Sequence, residues 1–186
     1  MVVEPSLKDA FQPLVYPLIQ VIDSTVNLIP TAQYYPLRLH CADLYLQLIS
    51  ATGVFIPVAP LLLDVIENEK FQEKHTNTAK PPDMVYALRI PKPFMSSRLV
   101  QDMLVSKAIS MLSDYLRLYE KNVAFPELAY PISRLLRTYT KKCSVSQWSS
   151  ATKALAQKLE KQIDAVIRAR ESITGPPKDL KNPNVK

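Results

Sequence analysis

His40 and Cys41 stand side by side, the residue types that a thiol nucleophile and its base require. On a helix, neighbouring side chains diverge by roughly 100°, so the two cannot act on one another. Cys41 falls on an apolar stripe and reads as a small buried hydrophobe. His75 lies in a charged stretch with no partner nearby in sequence. Metal sites on helices place ligands three or four residues apart, and the chain offers no such His, Cys or acid set. GxGxxG, GKT, GKS, GxSxG and HExxH are all absent. Asp64 and Glu67, three apart at a helix end, form a commonplace surface pattern. The expectation is a non-enzymatic chain with no cofactor, metal or small-molecule substrate.

Two other groupings point to contact rather than catalysis. Arg134, Arg137, Lys141 and Lys142 recur at i, i+3, i+7 and i+8, which gathers four cations at one helix end, where they could neutralise phosphates. The same spacing suits a solvated face opposite Leu135, Leu136 and Tyr139, and RNA backbone contact is the reading taken. Tyr34 and Tyr35, followed by Pro36 and Arg38, form an aromatic corner at a helix entry. Such a corner could grip a peptide or a base, but paired tyrosines more often lock adjacent helices by packing and a hydroxyl hydrogen bond.

The elements that must position these groups follow from composition. The chain has 186 residues, 47% of them hydrophobic, enough for one core or a short row of stacked helical hairpins. Two glycines stand against sixteen prolines, which disfavours β-rich folds and glycine-loop nucleotide sites together. The net charge is +6, unevenly spread. Residues 1–68 hold two cations against six acids, whereas residues 134–170 hold nine cations against two. An acidic front and a basic rear suit a protein partner at one end and a polyanion at the other. Cys41 and Cys143 are far apart and imply no disulfide framework, and a reducing compartment is the natural reading. No secretory signal is expected, because the opening MVVEPSLKD is acidic and lacks an early apolar stretch, and no membrane span, because Pro13–Ile29 is interrupted by Gln20, Asp23, Ser24 and Asn27 and the run from Val54 to Leu63 is too short.

Proline marks the mouths of apolar helices, the position where a missing N–H is tolerated. A first helix is expected from Ser6 to Ile29, bent at Pro13 or Pro17, with Leu14, Leu18, Val21, Ile22, Thr25 and Ile29 as its apolar stripe. A second runs from Pro36 to Thr52, stopped by Gly53, and is apolar on more than one side, as suits an inner helix. Its main face is Leu37, Cys41, Leu44, Tyr45, Leu48 and Ile49. A third spans Pro57 to about Asn68. Residues 69–83 read as an exposed loop, and 84–90 as an extended segment lying on the helices. A long helix follows from Ser96 or Ser97 to Lys121, with Val100, Leu104, Ala108, Met111, Tyr115 and Leu118 in line. The next opens at Pro126, carries Leu128, Ile132, Leu135, Leu136 and Tyr139, and ends over 137–143. The last, launched by the capping box Ser144-Val145-Ser146-Gln147, carries Trp148, Leu155, Leu159, Ile163, Val166 and Ile173 before Gly175-Pro176-Pro177 stops it. The expected fold is all-α: a HEAT-like or armadillo-like α-solenoid of stacked antiparallel helices over residues 6–174, with a disordered tail over 175–186.

The wording itself carries a resemblance. Val15-Tyr16-Pro17-Leu18, the run from Ile29 through Pro30-Thr31-Ala32-Gln33-Tyr34-Tyr35-Pro36-Leu37-Arg38-Leu39-His40 to Cys41, Ala51-Thr52-Gly53-Val54-Phe55-Ile56-Pro57 and Phe125-Pro126-Glu127-Leu128 resemble the nucleolar complex protein 2 family. Lys142-Cys143-Ser144-Val145 is similar to the entry of that family's last conserved helix. The resemblance covers roughly residues 10–170 and matches the family's C-terminal repeat region, although residues 96–121 largely follow only the helical pattern. It implies a HEAT-like scaffold of the nucleolus and nucleoplasm. Such a scaffold pairs with other nucleolar complex proteins and accompanies large-subunit ribosome precursors, with their rRNA, through maturation and nuclear export. The rival expectation is a HEAT-type adaptor for peptides, without nucleic acid.

Overall fold

The computed structural model describes residues 5–68, 71, 83 and 86–171, with side chains from 12 to 170. Seven α-helices form among them: α1 Pro5–Leu28, α2 Tyr35–Thr52, α3 Ala59–Ile66, α4 Lys92–Met95, α5 Arg98–Tyr119, α6 Phe125–Lys142 and α7 Ser146–Glu171. A 3₁₀ turn, Ala32–Tyr34, leads into α2. No β-strand forms among the described residues, so the fold is all-α. None of the helices is long and apolar enough to cross a membrane.

Proline sits in the first turn of α2, α3, α4 and α6, where the missing N–H breaks no intrahelical bond. Pro57 stays outside α3, in a tight turn where the Val58 N–H donates to Ile56 O at 3.0 Å. Pro13 and Pro17 lie within α1, which continues through both. Gly53 ends α2 in the left-handed conformation at φ 73°, with its N–H on Ile49 O at 2.8 Å.

Helix α5 is the centre of the arrangement. It packs against α2 and α3 on one side and α7 on the other, while α7 pairs extensively with α6 across the three-residue link 143–145. Val100, Leu104, Val105, Ala108, Met111, Leu112, Tyr115 and Leu116 are therefore all buried along it. Trp148 fastens α7 to α5: its indole N–H donates to Asp102 Oδ1 at 2.9 Å, and Arg98 lies 4.2 Å from its ring centroid. Around it the α7 seam of Leu155, Leu159, Ile163 and Val166 is buried as expected, joined by Thr152 and Ala156. Ile173 lies outside the described residues.

Three expectations need correction. The apolar stripe assigned to α1 is mostly in solvent: Leu14, Leu18, Val21 and Ile29 are exposed, and only Ile22 of the set is buried. The face that meets α2 is the adjacent one, Ile19, Ile22 and Val26. Apolar residues occupy about half of the α1 circumference, and spacing alone does not say which part a single neighbour covers. Leu44 of α2, Leu118 of α5 and Leu135 of α6, each assigned to an apolar stripe, are likewise exposed. The burial of Leu39 off the main face of α2 fits the expected inner helix, which α1, α3 and α5 clasp. The short α4 has no counterpart among the expected helices; Pro93 in its first turn follows an extended Pro91.

Of the expected loop 69–83, only Phe71 and Asp83 fall within the described residues, and the tail 175–186 lies outside them. The described part of segment 84–90 does lie on the helices without forming a strand. The Ile90 N–H donates to Gln33 O at 2.8 Å, and the Leu37 N–H to Leu88 O at 3.3 Å.

Candidate nucleic-acid interface and helix corner

The aromatic corner is held from two sides. Tyr35, Pro36 and Arg38 are buried and Tyr34 is half-buried. On the side of α3 and the residues that follow it, the Tyr35 hydroxyl donates to Asp64 O at 3.2 Å and accepts from Asn68 Nδ2 at 2.8 Å, while its ring meets Phe71 edge-on at 5.8 Å. Burial pushes the Tyr35 hydroxyl pKa up, as expected for a phenol used as a neutral hydrogen-bonding post. Arg38 Nη1 reaches Asp64 Oδ2 at 2.5 Å, leaving its buried Nε without a partner among the described residues.

From the other side comes segment 86–90. His40 Nε2 lies 3.2 Å from Ala87 O, a contact that requires the Nε2–H tautomer. Arg89 forks onto Gln33 Oε1 at 3.0 and 3.2 Å and lies 5.6 Å from the Tyr34 ring centroid. His40 and Cys41 therefore serve different surroundings: the ring binds a backbone carbonyl, and the buried thiol has its pKa raised by desolvation. A raised thiol pKa disfavours the nucleophilic thiolate.

The four cations of α6 are all exposed. At 100° per residue, Arg134, Arg137 and Lys141 share an arc of about 60°, and Lys142 stands roughly 100° beyond Lys141. The first three thus form the stripe, and Lys142 widens it. Arg137 is engaged by Glu160 of α7, which also accepts from Ser133 Oγ at 3.2 Å. The Arg137 hydrogen bond holds the Glu160 carboxyl below its usual range. Arg134 lies 5.9 Å from the Tyr130 ring centroid. Arg134, Lys141 and Lys142 form no ion pair with the described residues. On α7, Lys153, Lys158, Lys161 and Arg168 are also exposed, so the α6–α7 hairpin presents cations from both helices. Arg170 is different: it binds Glu127, with Nη1–Oε1 at 2.7 Å, and ties the two helices together.

Sequence reasoning missed Asp64, Asn68, Gln33, Arg89, Asp102 and Glu160, the polar partners that fix these groups. Each lies 23 to 56 residues from the side chain it serves, with Asp102 standing 46 from Trp148. No local spacing could reveal them.

The Noc2p family profile matches residues 2–184. Nucleolar complex protein 2 of Drosophila melanogaster is 31% identical over 175 residues, covering 92% of this chain and 23% of the relative. Nucleolar complex-associated protein 2 of Arabidopsis thaliana is 32% identical over 176 residues, covering 94% and 23%. A Schizosaccharomyces pombe protein named as an uncharacterized NOC2 family member is 31% identical over 160 residues, covering 86% and 23%. The chain spans about a quarter of the length of these relatives. With the profile matching nearly every residue, the chain belongs to the Noc2p family.

Proposed function

We propose that this chain is a non-enzymatic scaffold of ribosome biogenesis, a single domain over residues 6–174 whose helices stack in HEAT-like fashion. It holds another nucleolar complex protein and large-subunit pre-ribosomal particles through maturation and nuclear export, in the nucleolus and nucleoplasm. The names of its Drosophila and Arabidopsis relatives support the nucleolar setting. The central place of α5, flanked by α2, α3 and α7, supports the stacked arrangement.

The observation that carries the RNA part is the exposed set Arg134, Lys141 and Lys142, without ion-pair partners among the described residues, beside Arg137. These side chains reach phosphates without reading bases, so binding is salt-sensitive and tolerant of sequence. Arg137 contributes by sharing its guanidinium between Glu160 and a phosphate. Tyr34, Tyr35, Pro36 and Arg38 act as the corner that fixes α2 between α3 and segment 86–90.

The test is affinity for a structured rRNA fragment across a salt series, with Arg134, Arg137, Lys141 and Lys142 reversed to Glu. The log–log salt slope is expected to become shallower by about 3, at roughly 0.7–0.9 for each phosphate that is no longer neutralised. An unchanged slope and affinity would remove the RNA role from this helix. It would favour the adaptor reading, for which the apolar groove of about 490 Å³ between α2 and α5, lined by Pro36, Leu39, Met103 and Leu104, is the natural seat.

A further inference from the structure

Helix α1 carries two apolar seams, and the described residues cover one. Ile22 and Val26, 5% and 8% exposed, face α2. Leu14, Leu18, Val21 and Leu28 are 57%, 47%, 63% and 77% exposed, although they line up on a single face. With Thr25, their spacing alternates four and three residues, and the same alternation extends in sequence to Phe11 and Leu7. Seven positions at 4-3 spacing are the pattern of a helix that receives another helix. The period places this second seam roughly 110° around α1 from the α2 face. Its described flanks, Pro17, Ser24 and Ile29, bear no charge, and Asp23 lies on the far side of the α2 face.

Helix α2 shows what such a pattern becomes when every neighbour is present. It too is apolar on more than one side, and there α1, α3 and α5 bury Leu39, Cys41, Tyr45 and Ile49. The relatives offer a source for a helix on this face, since more than three-quarters of their length lies outside the region matched here.

We propose that the outer seam of α1 docks one amphipathic helix. Its apolar residues also follow 4-3 spacing, its seam is uncharged, and it comes from the part of a Noc2p-family polypeptide outside the matched region. The site extends the stack of helices by one layer at the end opposite the cations. This deepens the scaffold reading and is independent of the RNA contact on α6.

The probe is the Drosophila nucleolar complex protein 2 with its matched 23% deleted, mixed with this chain. A 1:1 complex is expected in size-exclusion chromatography with light scattering. The double variant Leu18→Glu/Val21→Glu weakens it at least tenfold, and Asp23→Ala leaves it intact. Both seam residues are exposed, so the double variant should match the wild type in helicity and melting temperature; the milder Leu14→Gln/Leu28→Gln variant gives a second reading of affinity and fold. Absence of a complex, or a complex indifferent to both seam variants, overturns the proposal. So does a seam-dependent dimer of this chain alone, or a lowered melting temperature in both variants, which would place the seam in the chain's own core. RNA affinity of the same variants separates this outcome from failure of the scaffold reading, because the α6 contact is unaffected by them.

Discussion

Helices α1 and α7 have similar lengths, 24 and 26 residues, and opposite fates. Helix α7 buries one continuous seam from Trp148 to Val166 against α5 and α6 and turns its lysines outward. Helix α1 packs chiefly on α2 and turns leucines outward. The difference lies in the width of the apolar arc. On α7 the arc matches the neighbours provided, whereas on α1 it is wider than α2 alone can cover. One end of the molecule thus presents cations to solvent, and the other presents apolar side chains.

The anchoring of α7 depends most on Trp148. Replacing it with Ala removes a fully buried ring and leaves Asp102 without its indole donor. The expected loss is about 3–5 kcal/mol in urea unfolding, since the cavity and the transfer terms add. A loss well below that range would mean that α7 is not anchored to α5 as described.

The corner gives the next largest effect. Asp64→Ala leaves the buried Arg38 without its carboxylate. Because Asp64 is itself half-exposed, about 1–3 kcal/mol is expected rather than the full cost of stranding a buried charge. Tyr35→Phe tests the same post and should cost about 1 kcal/mol in the same unfolding assay, the net worth of an ordinary hydrogen bond. Gly53→Ala is also expected to destabilise by about 1 kcal/mol. A Cβ there meets nothing within 4 Å, so the whole effect is the left-handed φ of 73°.

Smallest is the pH response of the rear hairpin. Hydrogen bonds from Arg170 and Arg137 lower the pKa values of Glu127 and Glu160 in the folded chain. A depressed carboxylate pKa means that the unfolded chain binds protons first as pH falls. The stabilisation from these pairs is therefore full above the ordinary glutamate value of about 4.3 and is lost below it. Both pairs are largely solvent-exposed, so the effect is modest and screened by salt. Acid titration of the melting temperature should show Glu127→Gln/Glu160→Gln losing this added acid sensitivity.

Much of this architecture is legible in the sequence wherever one residue type has one physical use. Gly53 is such a case, as are the first-turn prolines of α2 and α6 and the α7 seam running from Trp148. The helices of the core are therefore readable to within a few residues. The orientation of α1 is not, because an arc of half a helix offers several faces and the neighbour decides among them. The corner is legible as a corner from Tyr34 to Arg38, but not as the meeting point of α3 and segment 86–90. Its partners Asp64 and Arg89 are brought in by the chain path rather than by spacing. The α6 cations are visible as a set, whereas the engagement of Arg137 by Glu160, 23 residues away, requires the hairpin.

The proposed division of labour puts RNA at the α6–α7 end and a docked protein helix at the α1 end. The most direct measurement is lysine and arginine footprinting by mass spectrometry, with and without a structured rRNA fragment. Protection from modification is expected at Arg134, Lys141, Lys142 and the exposed α7 lysines Lys153, Lys158 and Lys161, with little change at Lys92 and Lys107. Uniform protection across all lysines, or protection confined to Lys92 and Lys107, would contradict it.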